Sequence, residues 1–273
     1  MNNNSNKRQV EFSDEVALVT GSTQGLGKSI ATLFVERGIK SIVITGRNEK
    51  KGESFKKELQ ALGARAIFFK ADLQNYKNCE KLINEVDKKF GKINILVNSA
   101  AITDRGTILS TTPELFDKMI QINLKAPFFL IQHCAKIMRR EKIQGSIVSI
   151  SSMVAHGGPH FLAAYNLSKS ALNNLTKTTA YALMRDKIRV NALNLGWMDT
   201  PGEHNIRKKY YNSEDNWIID AEKTQPLGRL IKTSEVAKTV AFLCSKEAGL
   251  ITGSNIDFDQ SVSGVPGQDY DPP

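Results

Sequence analysis

Val16-Ala-Leu-Val-Thr20-Gly21-Ser22-Thr23-Gln24-Gly25-Leu26-Gly27-Lys28-Ser29 is the stretch that decides the fold. Its apolar start reads as a buried strand, its glycines as a tight turn, and the periodic segment that follows, about 28–37, as a helix. Glycine at a strand-to-helix turn lets the backbone approach a pyrophosphate, whose charge the helix N-terminus favours. The spacing is Gly-x-x-x-Gly-x-Gly, which makes Gly21, Ser22, Gln24, Gly25, Leu26 and Gly27 candidates for cofactor binding. A triphosphate-binding loop is the near competitor, because Gly27-Lys28-Ser29 matches the end of its signature. That signature needs four residues between its glycines, whereas Gly21 and Gly27 are separated by five, and Ser22 stands where glycine is expected.

Outward from this turn, short apolar runs alternate with longer amphipathic stretches. Runs beginning at Val16, Ser41, Ala66, Ile93, Gly145, Arg189 and Asn255 read as strands; about 28–37, 50–62, 75–90, 113–139, 163–184 and 234–245 read as helices. Buried strands separated by helices imply parallel neighbours joined by crossovers. The expected architecture is α/β: a single-domain, doubly wound sheet of about seven parallel strands with helices on both faces. Residues 1–273 form one domain, since α/β chains of this length commonly build one core. The long irregular segment 197–232 reads as a substrate lid and 264–273 as an extended tail.

Composition excludes several classes. No apolar run approaches the roughly 20 residues that span a bilayer, and the polar N-terminus lacks a secretory core, so a cytoplasmic protein with no membrane partner is expected. Cys79, Cys134 and Cys244 are scattered and lack metal-ligand spacing, so reduced thiols are expected and no metal site. The 37 basic against 28 acidic residues give a net charge of +9, which could suit nucleic acid or an acidic carrier. The basic residues are interleaved with acids, as in Arg47-Asn-Glu-Lys-Lys-Gly-Glu, and read as solvated helix faces rather than a nucleic-acid surface.

Two further signals carry chemistry. At the end of the second strand, where an acid would bond the ribose 2′-hydroxyl of NAD, the sequence reads Thr45-Gly46-Arg47. No carboxylate repels a 2′-phosphate there and Arg47 can grip one, so NADP is expected, with NAD the alternative. Tyr165 and Lys169 are four residues apart in a helical stretch, on one face and about 6 Å apart along the axis. An ammonium so placed can favour a phenolate, each unit of downward shift from the usual tyrosine range requiring roughly 1.4 kcal/mol. Ser152 lies thirteen positions before Tyr165, at the end of an apolar run.

Thr20-Gly21-x-x-x-Gly25-x-Gly27, Asn98-Ser-Ala-Ala101, Asn123, Ser152 and Tyr165-x-x-x-Lys169, in this order and spacing, resemble the short-chain dehydrogenase/reductase family over about residues 12–260. The resemblance implies a Rossmann-type fold, an oxidoreductase acting on CH–OH groups, and a homo-oligomer, tetramer or dimer, packed through the long helices near 113–139 and 163–184. It implies that Tyr165 exchanges a proton with the substrate oxygen, that Lys169 lowers its pKa and holds the nicotinamide ribose, and that Ser152 hydrogen-bonds the carbonyl or alcohol oxygen. It further implies that Asn123 holds a water linking Lys169 to solvent. Asp72 and Leu73 would meet the adenine, Asn98 and Ala100 the cofactor's neighbourhood, and Gly196, Met198 and Thr200 the nicotinamide end. Three positions depart from the family pattern: Asn98-Ser-Ala-Ala for Asn-Asn-Ala-Gly, Leu195 for proline before Gly196, and Asp259-Gln-Ser for Asp-Gly-Gly. The first two touch the cofactor's neighbourhood, and neither removes a group used in the chemistry.

The substrate pocket is expected between Met153, Val154, His156, Phe161, the segment after Ala101, and the lid. Glu203, His204, Asn205 and several aromatics there suit a small polar molecule such as a sugar or polyol. Reduction of a 3-oxoacyl thioester on an acidic carrier is the alternative. A nucleotide-binding regulator without turnover is the alternative of another class.

Overall fold

The computed structural model describes residues 11–211 and 217–262. Seven parallel strands form one sheet in the order β3-β2-β1-β4-β5-β6-β7, comprising β1 (Val16–Val19), β2 (Ser41–Gly46), β3 (Arg65–Lys70), β4 (Ile95–Asn98), β5 (Ser146–Ser152), β6 (Arg189–Leu195) and β7 (Asn255–Phe258). β1 pairs with β2 on one side (Leu18 opposite Val43) and with β4 on the other (Leu18 opposite Leu96). The chain order therefore reverses at β1, and a crevice opens beyond the carboxyl ends of β1 and β4, where open α/β sheets hold their ligands.

Alternation along β1 explains the two layers of helices. Ala17 and Val19 face one side, against Ile30 and Phe34 of α1 (Gly25–Glu36), Phe55 of α2 (Glu49–Ala61) and residues 236–244 near the C-terminal end. Val16 and Leu18 face the other, against Leu82 and Val86 of α3 (Tyr76–Phe90) and Leu130 and Cys134 further along the chain. A strand buried on both faces must be apolar throughout, which is how the run at 16–19 reads. Truncating Leu18, fully buried, would cost about 2–5 kcal/mol.

Two segments differ from the sequence reading. The helix expected over 113–139 is broken: α4 (Pro113–Ile120) passes through a π-helical turn at Gln121–Lys125 into α5 (Ala126–Arg140). Pro127 has no N–H to return to the carbonyl four residues earlier, that of Asn123, so an ordinary α-helical bond cannot form there. Nor is the segment 197–232 wholly irregular. After α6 (Ala163–Leu183) and β6 it carries α7 (Pro201–Tyr211) and α8 (Trp217–Lys223), before α9 (Thr233–Cys244). The start signal of α7 is local: Thr200 Oγ1 accepts the Glu203 N–H at 3.2 Å, with proline at the first helical position. The tail expected at 264–273 lies outside the described residues. No helix among the described residues is long and apolar enough to cross a membrane.

Candidate active site

A cleft of about 950 Å³ lies over the carboxyl ends of β1, β4 and β5 and reaches α7. Its floor at the first turn is bare backbone. Gly21 has φ +63°, and a Cβ on it would stand 2.7 Å from the Ala100 Cα; one on Gly27 would stand 2.5 Å from the Gly21 carbonyl oxygen. Thr20 Oγ1 accepts the N–H groups of Ser99 and Ala100 at 3.0 and 3.1 Å, locking this turn to the loop after β4. Gln24, Gly25 and Leu26 line the cleft with them, and α1 begins at Gly25, directing its first N–H groups to the cleft. A turn packed so closely on backbone that no side chain fits at Gly21 or Gly27, at a helix N-terminus, fits a dinucleotide pyrophosphate.

At one end of the cleft Arg47 is exposed and makes no ion pair among the described residues, while the neighbouring Lys51 Nζ donates to Gln24 Oε1 at 2.9 Å. Thr45 lines the same wall with its hydroxyl oxygen buried and unpartnered. Asp72 and Leu73 are also in the lining; the Asp72 carboxylate accepts the Gln74 N–H at 3.1 Å. Lys51 and Thr45 escaped the sequence reading, since one is a helix lysine among many and the other a strand threonine.

Three expected residues stand behind the wall. Ser22 donates to the Val19 carbonyl at 2.8 Å and accepts the Thr45 N–H at 3.1 Å, tying β1 to β2. Asn98 donates to Ser149 Oγ at 3.3 Å, and its own Oδ1 is buried without a partner. Asn123, on the π-helical turn, accepts the Ile102 N–H at 3.0 Å and donates to the Ile102 carbonyl at 2.9 Å. Its amide thus clamps the loop after β4.

Beyond the cradle, β5 delivers Ser152 and the start of α6 delivers Tyr165 and Lys169 to one place. Ser152 Oγ donates to the Leu195 carbonyl at 3.3 Å and lies near enough to the Tyr165 hydroxyl to favour its phenolate. Lys169, 2 % exposed, donates to the Ile150 carbonyl at 2.7 Å, with Nζ 5.6 Å from the Tyr165 ring centre. Burial pushes the Lys169 ammonium down to about 7. The same burial, with the Glu203 charge beside it, pushes the Tyr165 phenol up to about 12, against the downward pull of the Ser152 hydroxyl and the Arg105 charge. In this structure Tyr165 is therefore a firm proton holder, where the sequence led us to expect a lowered pKa. The reason is that desolvation of the phenolate outweighs an ammonium which bonds a backbone carbonyl instead.

The far end is closed by α7. Arg207 lies over the Trp197, Tyr211 and Trp217 rings at 4.4, 4.8 and 5.2 Å, and Glu203 Oε1 accepts from Arg207 Nε and Trp197 Nε1 at 3.2 and 3.1 Å. Asp104 anchors the helix to the opposite loop through Lys209 Nζ and the Tyr210 hydroxyl, at 2.7 and 3.1 Å. Met153, Val154, Phe161, Glu203 and Asn205 line the cleft as expected, joined by Arg105, Arg207 and Asp259. The two histidines are turned elsewhere: His204 Nε2 meets Asp199 at 2.9 Å, and His156 Nε2 meets Asp257 at 2.8 Å. Gly196, Met198 and Thr200 form the wall between Tyr165 and α7. Among the described residues no group of three His, Cys, Asp or Glu side chains is placed to hold a metal ion.

A family model described as enoyl-(acyl carrier protein) reductase matches residues 21–263. An uncharacterised oxidoreductase of Thermotoga maritima is 33% identical over 94% of this chain and all of its own length. A 3-oxoacyl-[acyl-carrier-protein] reductase of the same organism is 32% identical over 90% of this chain and 96% of its own. Tropinone reductase-like 3 of Erythroxylum coca is 34% identical over 90% and 92%. Among solved structures, a variant of actinorhodin polyketide ketoreductase with NADPH superposes with a TM-score of 0.84 at 29% identity, covering 90% of this chain and 96% of its own. A short-chain type dehydrogenase/reductase of Mycobacterium marinum does so with 0.84 at 25% identity, over 92% and 96%.

Proposed function

The chain belongs to the short-chain dehydrogenase/reductase family, and from that premise we propose that it is an NADP(H)-dependent oxidoreductase interconverting a secondary alcohol and a ketone on a small polar molecule. One observation carries the proposal: Ser152, Tyr165 and Lys169 line the same cleft as the glycine cradle. When bound, the cofactor would supply the hydride; Gly21, Gly25 and Gly27 would hold its pyrophosphate, and Arg47 with Lys51 a 2′-phosphate.

The rest is done by the chain's own groups. Ser152 and Tyr165 place two hydroxyls where the carbonyl oxygen gains charge, and a phenol that keeps its proton delivers it to that oxygen as the ketone becomes an alcohol. Lys169, held near its charge-switching range by burial, sits behind the phenol and restores its proton. Asn123 spends its side-chain amide on Ile102, so a water serving Lys169 would be held by the Asn123 backbone carbonyl, which Pro127 leaves without its usual donor. Exposed Leu167, Tyr181 and Phe128 on α6 and α5 support a homo-oligomer packed through those helices, and three buried free thiols support a reducing, cytoplasmic setting.

Relatives named for 3-oxoacyl-carrier reduction favour a second reading, in which the ketone is a 3-oxoacyl thioester. A screen of ketones and alcohols, sugar-like compounds and 3-oxoacyl thioesters among them, with NADPH, NADH and their oxidised forms, tests both. Turnover of small polar compounds with NADPH is expected. Cofactor binding without turnover of any compound would instead make the protein a nucleotide-binding regulator.

A further inference from the structure

Arg105 carries a charge that the site does not cancel. It lines the cleft with its guanidinium 4.9 Å from the Phe161 ring centre and 5.4 Å from that of Tyr211. Its backbone is fixed from both sides. Asn123 clamps Ile102, Gly106 accepts the Ala163 N–H at 3.1 Å and donates to the Phe161 carbonyl at 2.9 Å, and the Arg105 N–H itself meets the Tyr210 hydroxyl at 3.3 Å.

The carboxylates nearby are already taken. Asp104 holds Lys209 and Tyr210, and Glu203 holds Arg207 and Trp197. Glu203 is paired with Arg207, while Arg105 has no ion pair among the described residues and its Nε is buried and unpartnered. Its charge reaches Tyr165 and favours the phenolate, against the Glu203 carboxylate, which disfavours it.

We infer that Arg105 is the anchor for a carboxylate on the substrate, which is a small oxo acid on the reduction side and the matching hydroxy acid on the other. Aromatic walls hold the planar guanidinium while leaving its edge for a paired contact, and a partly desolvated cation gains most from an anion that arrives in the same dry space. A thioester bears no charge beside its reacting carbonyl and would leave Arg105 unmatched. The chemistry assigned to this substrate rests on the oxidoreductase reading above; the anion site does not.

The test separates the two. Two-, three- and four-oxo acids, each paired with its methyl ester, are titrated into NADPH-saturated Tyr165→Phe protein, with Trp197 and Trp217 fluorescence reporting binding, and the same compounds are offered to the wild type for turnover. Acids should bind at least about 30-fold tighter than their esters, the gap should collapse in Arg105→Met and persist in part in Arg105→Lys, and salt should weaken the acids alone. Equal binding of acid and ester, no binding of any acid, or equal loss for both in Arg105→Met would overturn the anchor. Acids that bind through Arg105 but are not reduced would leave the anion site standing and overturn the oxo acid as the substrate.

Discussion

Lys169 gives its 2.7 Å hydrogen bond to the Ile150 carbonyl, two residues before the end of β5, and not to Tyr165 four residues earlier on its own helix. A cation so placed is stored in the protein, at a cost, for later use. Burial holds its pKa at about 7, against an ordinary value of 10.5. Below the folded pKa both folded and unfolded chains hold the proton, and the folded chain bears the full desolvation cost. Between about 7 and 10.5 the unfolded chain binds more protons than the folded one, so stability rises with pH.

Lys169→Met should therefore be more stable than the wild type at pH 7, by on the order of a few kcal/mol less the lost Ile150 bond. Denaturant melts at pH 7, 8.5 and 10 should show the gap closing as pH rises. A wild type more stable than the variant at pH 7 would contradict the cost assigned to Lys169.

Arg47 has no ion pair among the described residues, and a 2′-phosphate would supply one. NADPH should bind more tightly than NADH, and Arg47→Ala should weaken NADPH by about 10- to 100-fold with little change for NADH. Calorimetric titration of the four combinations measures it; equal affinities in the wild type would refute the choice of cofactor.

Asn123 satisfies both backbone groups of Ile102 at the start of the loop that carries Arg105. Asn123→Ala leaves them unpaired near the cleft and should cost about 1–3 kcal/mol in a denaturant melt. It should also raise hydrogen exchange at residues 102–105 while leaving β1 protected. Unchanged exchange in that loop would show that the clamp is not what holds it.

The sheet, its seven strands and the glycine turn were legible in the sequence because each rests on a local pattern: alternation, an apolar run, a residue with no Cβ. Ser152, Tyr165 and Lys169 were legible as a set through the family resemblance, since helical spacing by itself paired only Tyr165 with Lys169. The π-helical turn was hidden in an unbroken amphipathic stretch, although Pro127, four residues after Asn123, was its signal. The helix α7 was masked by polar residues, yet Thr200-Pro201-Gly202-Glu203 is a helix start. What no local pattern holds is direction: that Ser22 and His156 turn away from the cleft, that Lys169 bonds a carbonyl, or that Arg105 has no ion pair among the described residues depends on residues far apart in the chain.

Tyr165→Phe tests the central claim most directly, by comparing NADPH consumption with a turned-over ketone against NADPH affinity in the same variant. Loss of one hydroxyl should lower kcat/KM by about 10²- to 10⁴-fold while cofactor affinity stays within a few-fold of the wild type. Turnover undiminished in the variant, with cofactor bound, would contradict the assignment of Tyr165 as the group that gives the substrate oxygen its proton.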